Sequence, residues 1–317
     1  MIEAIFIEGL TYSLMVLGVF ITFRILDFAD LTVDGTFPLG GAVTAFCLLN
    51  GLNPVLAFLL AFLAGCLGGL ITALIHTTLK VPGLLAGILT MTMLYSLNIR
   101  VMDGKSYFSF LKIDTLFASL RQNGLFGFIP GELAVLVFLL IVVLCIKVLC
   151  DLFFRTNFGL TMGALGGNSQ MIISQGMNPS VIKAVGIALS NGLVALSGSF
   201  ASLYNGFSDV GSGNGIVVSG LASVMLGEFL LRSNKIMLLT FRVILGSILY
   251  RALMFFARVH GHQIGMGPND FKLLTGLLIV VCLIVSKYRG SFFSDMIKSK
   301  NIGRSIITKK KDTNARP

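Results

Sequence analysis

The chain has 317 residues, 55% of them hydrophobic and only 12% charged, with a mean hydropathy of +0.91. A soluble domain carries about 25% charged residues, so a water-soluble globular class is excluded. Several apolar runs reach the roughly 20 residues that cross about 30 Å of hydrocarbon, and the alternating segments of about ten residues that mark a membrane barrel are absent. The formal net charge is +10, and residues 287–317 hold nine Lys/Arg against Asp295 and Asp312, which is +7 of that total. Basic sequence directly after a last span reads as a positive-inside anchor on the cytoplasmic side, beside lipid, and not as a nucleic-acid surface.

The chain is therefore read as an all-α polytopic membrane protein. Residues 1–290 form the transmembrane domain, and residues 291–317 form a basic, disordered cytoplasmic tail. The N-terminus, MIEAIFIEGL, has two acids and no basic n-region, so the first span, Ile5–Phe23, is read as retained. After it comes Asp27–Gly41, DFADLTVDGTFPLGG, which carries three aspartates and a Pro between two apolar runs. At membrane depth such sequence is either a short loop or a helix broken around a pathway.

A second apolar run, Phe37–Leu49, is followed by the turn Asn50–Pro54 and a third span, Val55–Ile75, with Ala64-Gly65 and Gly68-Gly69 for close helix approach. Lys80–Gly83 turns into a fourth span, Leu84–Met102. Asp103–Gly131 is a long polar interval whose Tyr107, Phe108 and Phe110 place it against the membrane surface. The fifth span is Glu132–Phe154, and the Gly-rich interval 156–179 precedes a sixth, Val181–Leu203. A short seventh, Ile216–Leu231, an eighth, Ile236–Val259, and a ninth, Phe271–Val285, complete about nine transmembrane helices.

Two stretches run in the same order: polar Gly-rich entry, apolar run, small-residue span, Pro turn, final span. They are Asp30–Met102 and Asp209–Val285, and nine spans place them in opposite orientations, with the N-terminus outside. Inverted repeats with interrupted helices in matching positions are how many transporters build a midplane site.

Negative findings narrow the chemistry. GxxxxGK[ST], HExxH and G-x-S-x-G are all absent, so neither ATP binding on a phosphate loop nor a catalytic constellation is expected, and no cofactor is assigned to this chain. His260 and His262 read as part of a turn rather than as metal ligands, and His76 as an interfacial polar end. The five cysteines (Cys47, Cys66, Cys145, Cys150, Cys282) lie in apolar segments without CxxC spacing and read as small buried hydrophobes.

The path candidates are Asp30, Thr32, Asp34, Thr36 and Phe37 in the broken stretch, and Ser190, Asn191 and Ser197 on the sixth span. Glu228 and Arg251 are ionisable groups deep in apolar spans, where an unpaired charge costs at least roughly 2.5–3.5 kcal/mol. Arg251 either pairs with an acid or contacts the solute. The interval FGLTMGALGGNSQMIISQGMNPS is too long, and too rich in exposed methionine, for a plain connection; a short amphipathic helix that docks a partner explains it better.

LGVFITFRILDFADLTVDGTFPLGGAV, KVPGLLAGILTMTMLYSLNIRVM and PNDFKLLTGLLIV resemble the permeases of bacterial ATP-binding-cassette importers, in the broad branched-chain amino-acid and ribose permease family. They are most similar to a subgroup linked to amino-acid uptake, aromatic amino acids included. DLTVDG matches the family's interrupted second helix and favours the broken-helix reading. The interval 156–179 resembles the family's coupling segment, with Gly159, Ala164, Gly166, Asn168, Gln175, Gly176 and Asn178 at pattern positions and Gly163 where the family usually has Arg. The resemblance implies a homodimer of permeases in the bacterial inner membrane, two ATPase subunits that carry ATP and Mg²⁺, and an extracytoplasmic solute-binding protein. The competing class is an ion-coupled secondary transporter that uses Asp30, Asp34 or Glu228.

Overall fold

The computed structural model describes residues 2–110, 115–123, 131–231 and 236–261, with isolated positions between 270 and 284. Helix α1 (Ile2–Phe20) runs into a π-turn, Ile21–Ile25, and the chain is then non-helical until α2 (Val33–Leu49). Helices α3 (Pro54–Thr78) and α4 (Gly83–Val101) follow, then strand β1 (Tyr107–Ser109), α5 (Leu116–Asn123) and α6 (Gly131–Arg155). Two short helices, α7 (Asn157–Gly167) and α8 (Ser169–Ser174), precede the long α9 (Pro179–Asn205). Strand β2 (Phe207–Asp209), a 3₁₀ turn (Val210–Gly213), α10 (Ile216–Leu230) and α11 (Ile236–Gly261) complete the described elements.

Among the described residues, seven helical segments are long and apolar enough to cross a membrane, and Val33–Leu49 is a shorter apolar helix. Eight of the nine expected spans thus coincide with described helices. The ninth, Phe271–Val285, lies largely outside the described residues, so the count of nine is not established.

Local chemistry sets the boundaries. Asn53 caps α3 by accepting from the Val55 N–H at 3.0 Å, with Pro54 at the first helical position. Asn178 and Pro179 open α9 in the same way, with the Ser180 N–H at 2.9 Å. Gly206 closes α9 at φ 78°, a conformation that glycine adopts without strain.

Helix α9 is the hub, packed by α1, α2 and α3. Small residues make those contacts close. A Cβ on Gly40 would overlap the Ala195 carbonyl oxygen, and one on Gly198 would overlap the Phe37 carbonyl oxygen. On α3, a Cβ on Gly69 would lie 2.6 Å from the Ile187 carbonyl oxygen, so the expected small-residue face of this span lies against α9. The opposite faces of α3 and α4 leave Leu59, Leu67, Leu74, Leu84 and Met93 exposed, as helices bordered by lipid or by another membrane chain require.

At one end of the bundle β1 pairs antiparallel with β2, Phe108 opposite Ser208. This ties the polar interval after α4 to the end of α9; residues 111–114 and 124–130 of that interval lie outside the described residues. At the other end sit α7 and α8. Cys47 and Cys150 are buried as expected, Cys66 is half-buried, and Cys145 is exposed on the apolar face of α6; Cys282 lies outside the described residues.

Candidate translocation site

The stretch after the first span is a broken helix and not a solvated loop. The π-turn closes with the Leu26 N–H donating to the Ile21 carbonyl at 3.0 Å, and the Phe28 N–H reaches back to Thr22 at 2.9 Å. Asp27 then takes φ 51°, which ends helical winding. From there the chain is non-helical to Leu31, and Asp30 on this stretch is fully buried.

A buried carboxyl at this depth requires hydrogen-bond donors. Asp30 Oδ1 accepts from the Thr32 N–H at 2.9 Å, and Oδ2 accepts from Asn191 Nδ2 at 2.7 Å. Asn191 also donates to the Ile187 carbonyl at 3.0 Å, and its Oδ1 accepts from the Thr36 hydroxyl at 2.8 Å. Thr32 shares a 2.6 Å hydrogen bond with Thr72 of α3, and Asn98 of α4 donates to the Gly35 carbonyl at 3.1 Å. The broken stretch is thereby pinned to α3, α4 and α9 at once. Thr72 and Asn98 are additions to the residues expected from sequence; each is a polar residue inside an apolar span, which is their only sequence signal.

Asp34 has a different role. Its side chain accepts from the Gly215 N–H at 3.0 Å and the Val217 N–H at 2.9 Å, so it caps α10, 181 residues further along the chain. Pro38 lacks an N–H, which leaves the Asp34 carbonyl without its i+4 donor. Gly213 lies so close to that carbonyl that a Cβ would overlap it. The starts of α2 and α10, the interrupted helices of the two repeat-like stretches, therefore meet at Asp34.

Phe37 is buried and stacks on Tyr12, ring centroids 5.5 Å apart. Ser190 donates to the Gly18 carbonyl at 2.7 Å and Ser197 to the Thr11 carbonyl at 2.8 Å, both ties between α9 and α1. Arg251 lies apart from the Asp30 cluster: its guanidinium sits 3.4 Å from the Tyr12 ring centroid and 3.9 Å from Glu8 Oε2. Seven of the nine path candidates (Asp30, Thr32, Thr36, Phe37, Ser190, Asn191 and Ser197) are thus buried within this one chain.

Two charge clusters occupy the spans. Glu228 Oε1 accepts from Arg24 and from Arg242, each at 2.8 Å, joining the π-turn, α10 and α11. Lys147 and Asp151 pair at 2.6 Å along α6, and Thr240 of α11 donates to the same carboxylate at 2.5 Å. The second pair is additional to the expected groups; the i, i+4 spacing of opposite charges within an apolar span marks it.

The interval 156–179 forms the pair α7–α8. Thr156 caps α7 through the Gly159 N–H at 3.2 Å. Asn168 caps α8 through the N–H groups of Gln170 at 3.0 Å and Met171 at 3.4 Å. Gly159 packs under the Phe153 carbonyl, and Gly166 against the Ile25 carbonyl at the end of the π-turn, with no room for a Cβ in either place. Ala164 is half-buried on the core. Gln175 ends α8 exposed, and Gly176 takes φ 76° in the turn to α9. Gly163 faces open space on the free side of α7.

The family model for the permease component of branched-chain amino acid transport systems matches residues 1–283. The chain belongs to this permease family. It is 41% identical over 282 residues to the tyrosine transport system permease protein of Clostridioides difficile (strain R20291), covering 89% of this chain and 90% of that protein. It is also 32% identical over 269 residues to an uncharacterized protein of Rickettsia prowazekii (strain Madrid E), covering 85% of this chain and 91% of the other. No solved structure matches it. Among the described residues of this permease, no three His, Cys, Asp or Glu side chains group as metal ligands.

Proposed function

We propose that this permease is the membrane subunit of an ATP-binding-cassette importer for an amino acid, with tyrosine and other aromatic amino acids the first candidates. The observation that carries the reading is the α7–α8 pair. It presents Leu160, Met171, Ile173 and Met177 exposed at one end of the bundle, the kind of adaptable apolar surface that docks a protein. Its other side touches the π-turn that leads into the Asp30 stretch. An ATPase seated on α7–α8 would displace that turn, and the displacement would reach the polar centre through Leu26–Thr32.

In this reading the α7–α8 end is cytoplasmic, and the β1–β2 end receives a solute-binding protein. The path runs between two copies of the chain, because the side chains of Asp30, Thr32, Thr36 and Asn191 are engaged by hydrogen bonds within one chain. The aspartates hold the interrupted helices and do not bind an ion. The relative named for tyrosine transport supplies the substrate class.

The test is reconstitution with a candidate ATPase and solute-binding protein from the same organism. Substrate-loaded binding protein is expected to raise ATP hydrolysis, and Asn168→Ala, which removes the cap of α8, to reduce that stimulation several-fold while assembly persists. Solute uptake by the permease alone, driven by an ion gradient, would overturn the reading.

A further inference from the structure

A cleft of about 340 Å³ opens where the end of α3, the start of α4 and the start of α9 meet. His76, Thr77, Lys80, Pro179, Ser180 and Lys183 line it, and no acidic side chain does among the described residues. Nothing in the hydrogen-bonded centre uses these groups.

The basic groups are positioned. The Val81 carbonyl can only accept, so His76 Nδ1 donates to it at 2.8 Å, which leaves Nε2 of the neutral ring as an acceptor. That nitrogen lies 3.4 Å from Lys183 Nζ and holds the half-buried ammonium at the cleft. Lys80 stands on the turn at φ 56°, exposed at the rim. The N-terminal turn of α9, a helix of 27 residues, contributes Ser180 and the positive end of its dipole. Two ammonium groups, the Ser180 hydroxyl and a helix N-terminus converge on one space, and together they select a phosphate-type anion.

What surrounds the cleft identifies the carrier of the phosphate. Leu79, Leu84 and Val181, the neighbours of the lining residues, are all at least half exposed. They continue onto the exposed apolar faces of α3 and α4, where acyl chains lie. The volume is more than ten times the roughly 30 Å³ of one water molecule, so it admits a headgroup as well as its phosphate.

We propose that this cleft binds the phosphate of an anionic phospholipid, with Lys80 and Lys183 on the phosphate oxygens and Ser180 as a hydroxyl donor; the Thr77 hydroxyl on the wall already donates to the Ala73 carbonyl at 2.8 Å. The assignment does not depend on which solute the permease carries or on what energises it.

The experiment compares full-length permease with the K80Q/K183Q variant, each incubated with phosphatidylglycerol or phosphatidylcholine and weighed by native mass spectrometry. The wild type is expected to retain phosphatidylglycerol in preference, and the double variant to lose about 30-fold in that retention, from the charge attraction of two lysines. A K309Q/K310Q variant removes the same charge from the tail and is expected to keep the preference. Equal retention by K80Q/K183Q and wild type, or no preference in the wild type, overturns the proposal. Inorganic phosphate, titrated by thermal shift, separates the sources. No stabilisation supports a lipid, whereas stabilisation lost in K80Q/K183Q assigns the cleft to a soluble phosphate and overturns the lipid assignment. If K183Q impairs folding, K80Q alone gives the same reading, because Lys80 is exposed on a turn.

Discussion

Exchanging Asp30 and Asn191 tests the polar centre. In Asp30→Asn, an amide replaces the carboxyl that accepts from the Thr32 N–H on one side and from Asn191 Nδ2 on the other. Either orientation of the new amide turns its NH₂ on one of those donors, so one buried hydrogen bond is lost, at about 1–3 kcal/mol. In Asn191→Asp, two carboxyls face one another across a contact of 2.7 Å, and an uncompensated buried charge costs about 3–5 kcal/mol. The double exchange restores the pattern. The amide at position 30 accepts from Thr32 and donates to position 191, whose carboxylate still accepts from Thr36; only the bond to Ile187 is missing. The exchange variant is therefore expected to be more stable than Asn191→Asp and to show a favourable coupling of at least about 1 kcal/mol. The chain has no Trp, so thermal unfolding in detergent is followed with a thiol-reactive dye that reaches buried Cys47 and Cys150 only on unfolding. At roughly 2–4 °C per kcal/mol the rescue is measurable. An exchange variant no more stable than the worse single variant would refute the assigned partners.

Four further outcomes follow from the packing. Gly198→Ala drives a methyl group into the Phe37 carbonyl and is expected to cost more than about 3 kcal/mol. Gly163→Ala, in open space on α7, is expected to be neutral or to stabilise by up to about 1 kcal/mol, both read by thermal unfolding. Asp34→Ala removes the cap of α10 and is expected to cost about 0.5–2 kcal/mol in the same assay, with faster hydrogen exchange confined to the first turn after Gly215. Lys147→Met alone is expected to cost about 3–5 kcal/mol because it leaves Asp151 charged and unpaired, whereas Lys147→Met with Asp151→Leu is expected to recover most of that loss.

Much of this architecture is legible in the amino-acid order, for identifiable reasons. Spans are set by run length, so the expected and observed boundaries of the eight described spans agree to within about four residues. Caps and turns at Asn53-Pro54 and Asn178-Pro179 are local signals, readable where they stand. Partners are not. Asp30 and Asn191 are 161 residues apart, and Arg24, Glu228 and Arg242 lie on three helices; in each case one residue announces only that it needs a partner. Asp34 carries no mark that distinguishes a cap from a path residue, because its two donors are backbone N–H groups on the far side of the chain. The likeness of the two repeat-like stretches reads as order alone, and that their interrupted helices meet emerges only when Gly213 and Pro38 are seen at the same carbonyl.

The packing also says where this bundle can bend. Helices α2 and α9 touch backbone to backbone at Gly40 and Gly198, so they cannot slide past one another without opening both contacts. Helix α7 touches the π-turn in the same manner through Gly166. A displacement of α7 is then taken up between these two rigid contacts, in the non-helical residues 27–31, against the side-chain hydrogen bonds of Asp30. Gly166 and its neighbour Gly167 separate this route from a general effect on α7. A Cβ at Gly166 overlaps the Ile25 carbonyl, whereas one at Gly167 meets nothing within 4 Å. Both substitutions raise helix propensity equally. Gly166→Ala is expected to lower coupled solute uptake at least several-fold, and Gly167→Ala to leave it near wild type, with the amount of protein in the membrane measured for each. Equal uptake by the two variants would mean that the Gly166–Ile25 contact transmits nothing, and that α7 acts on the bundle through α6 or α9 instead.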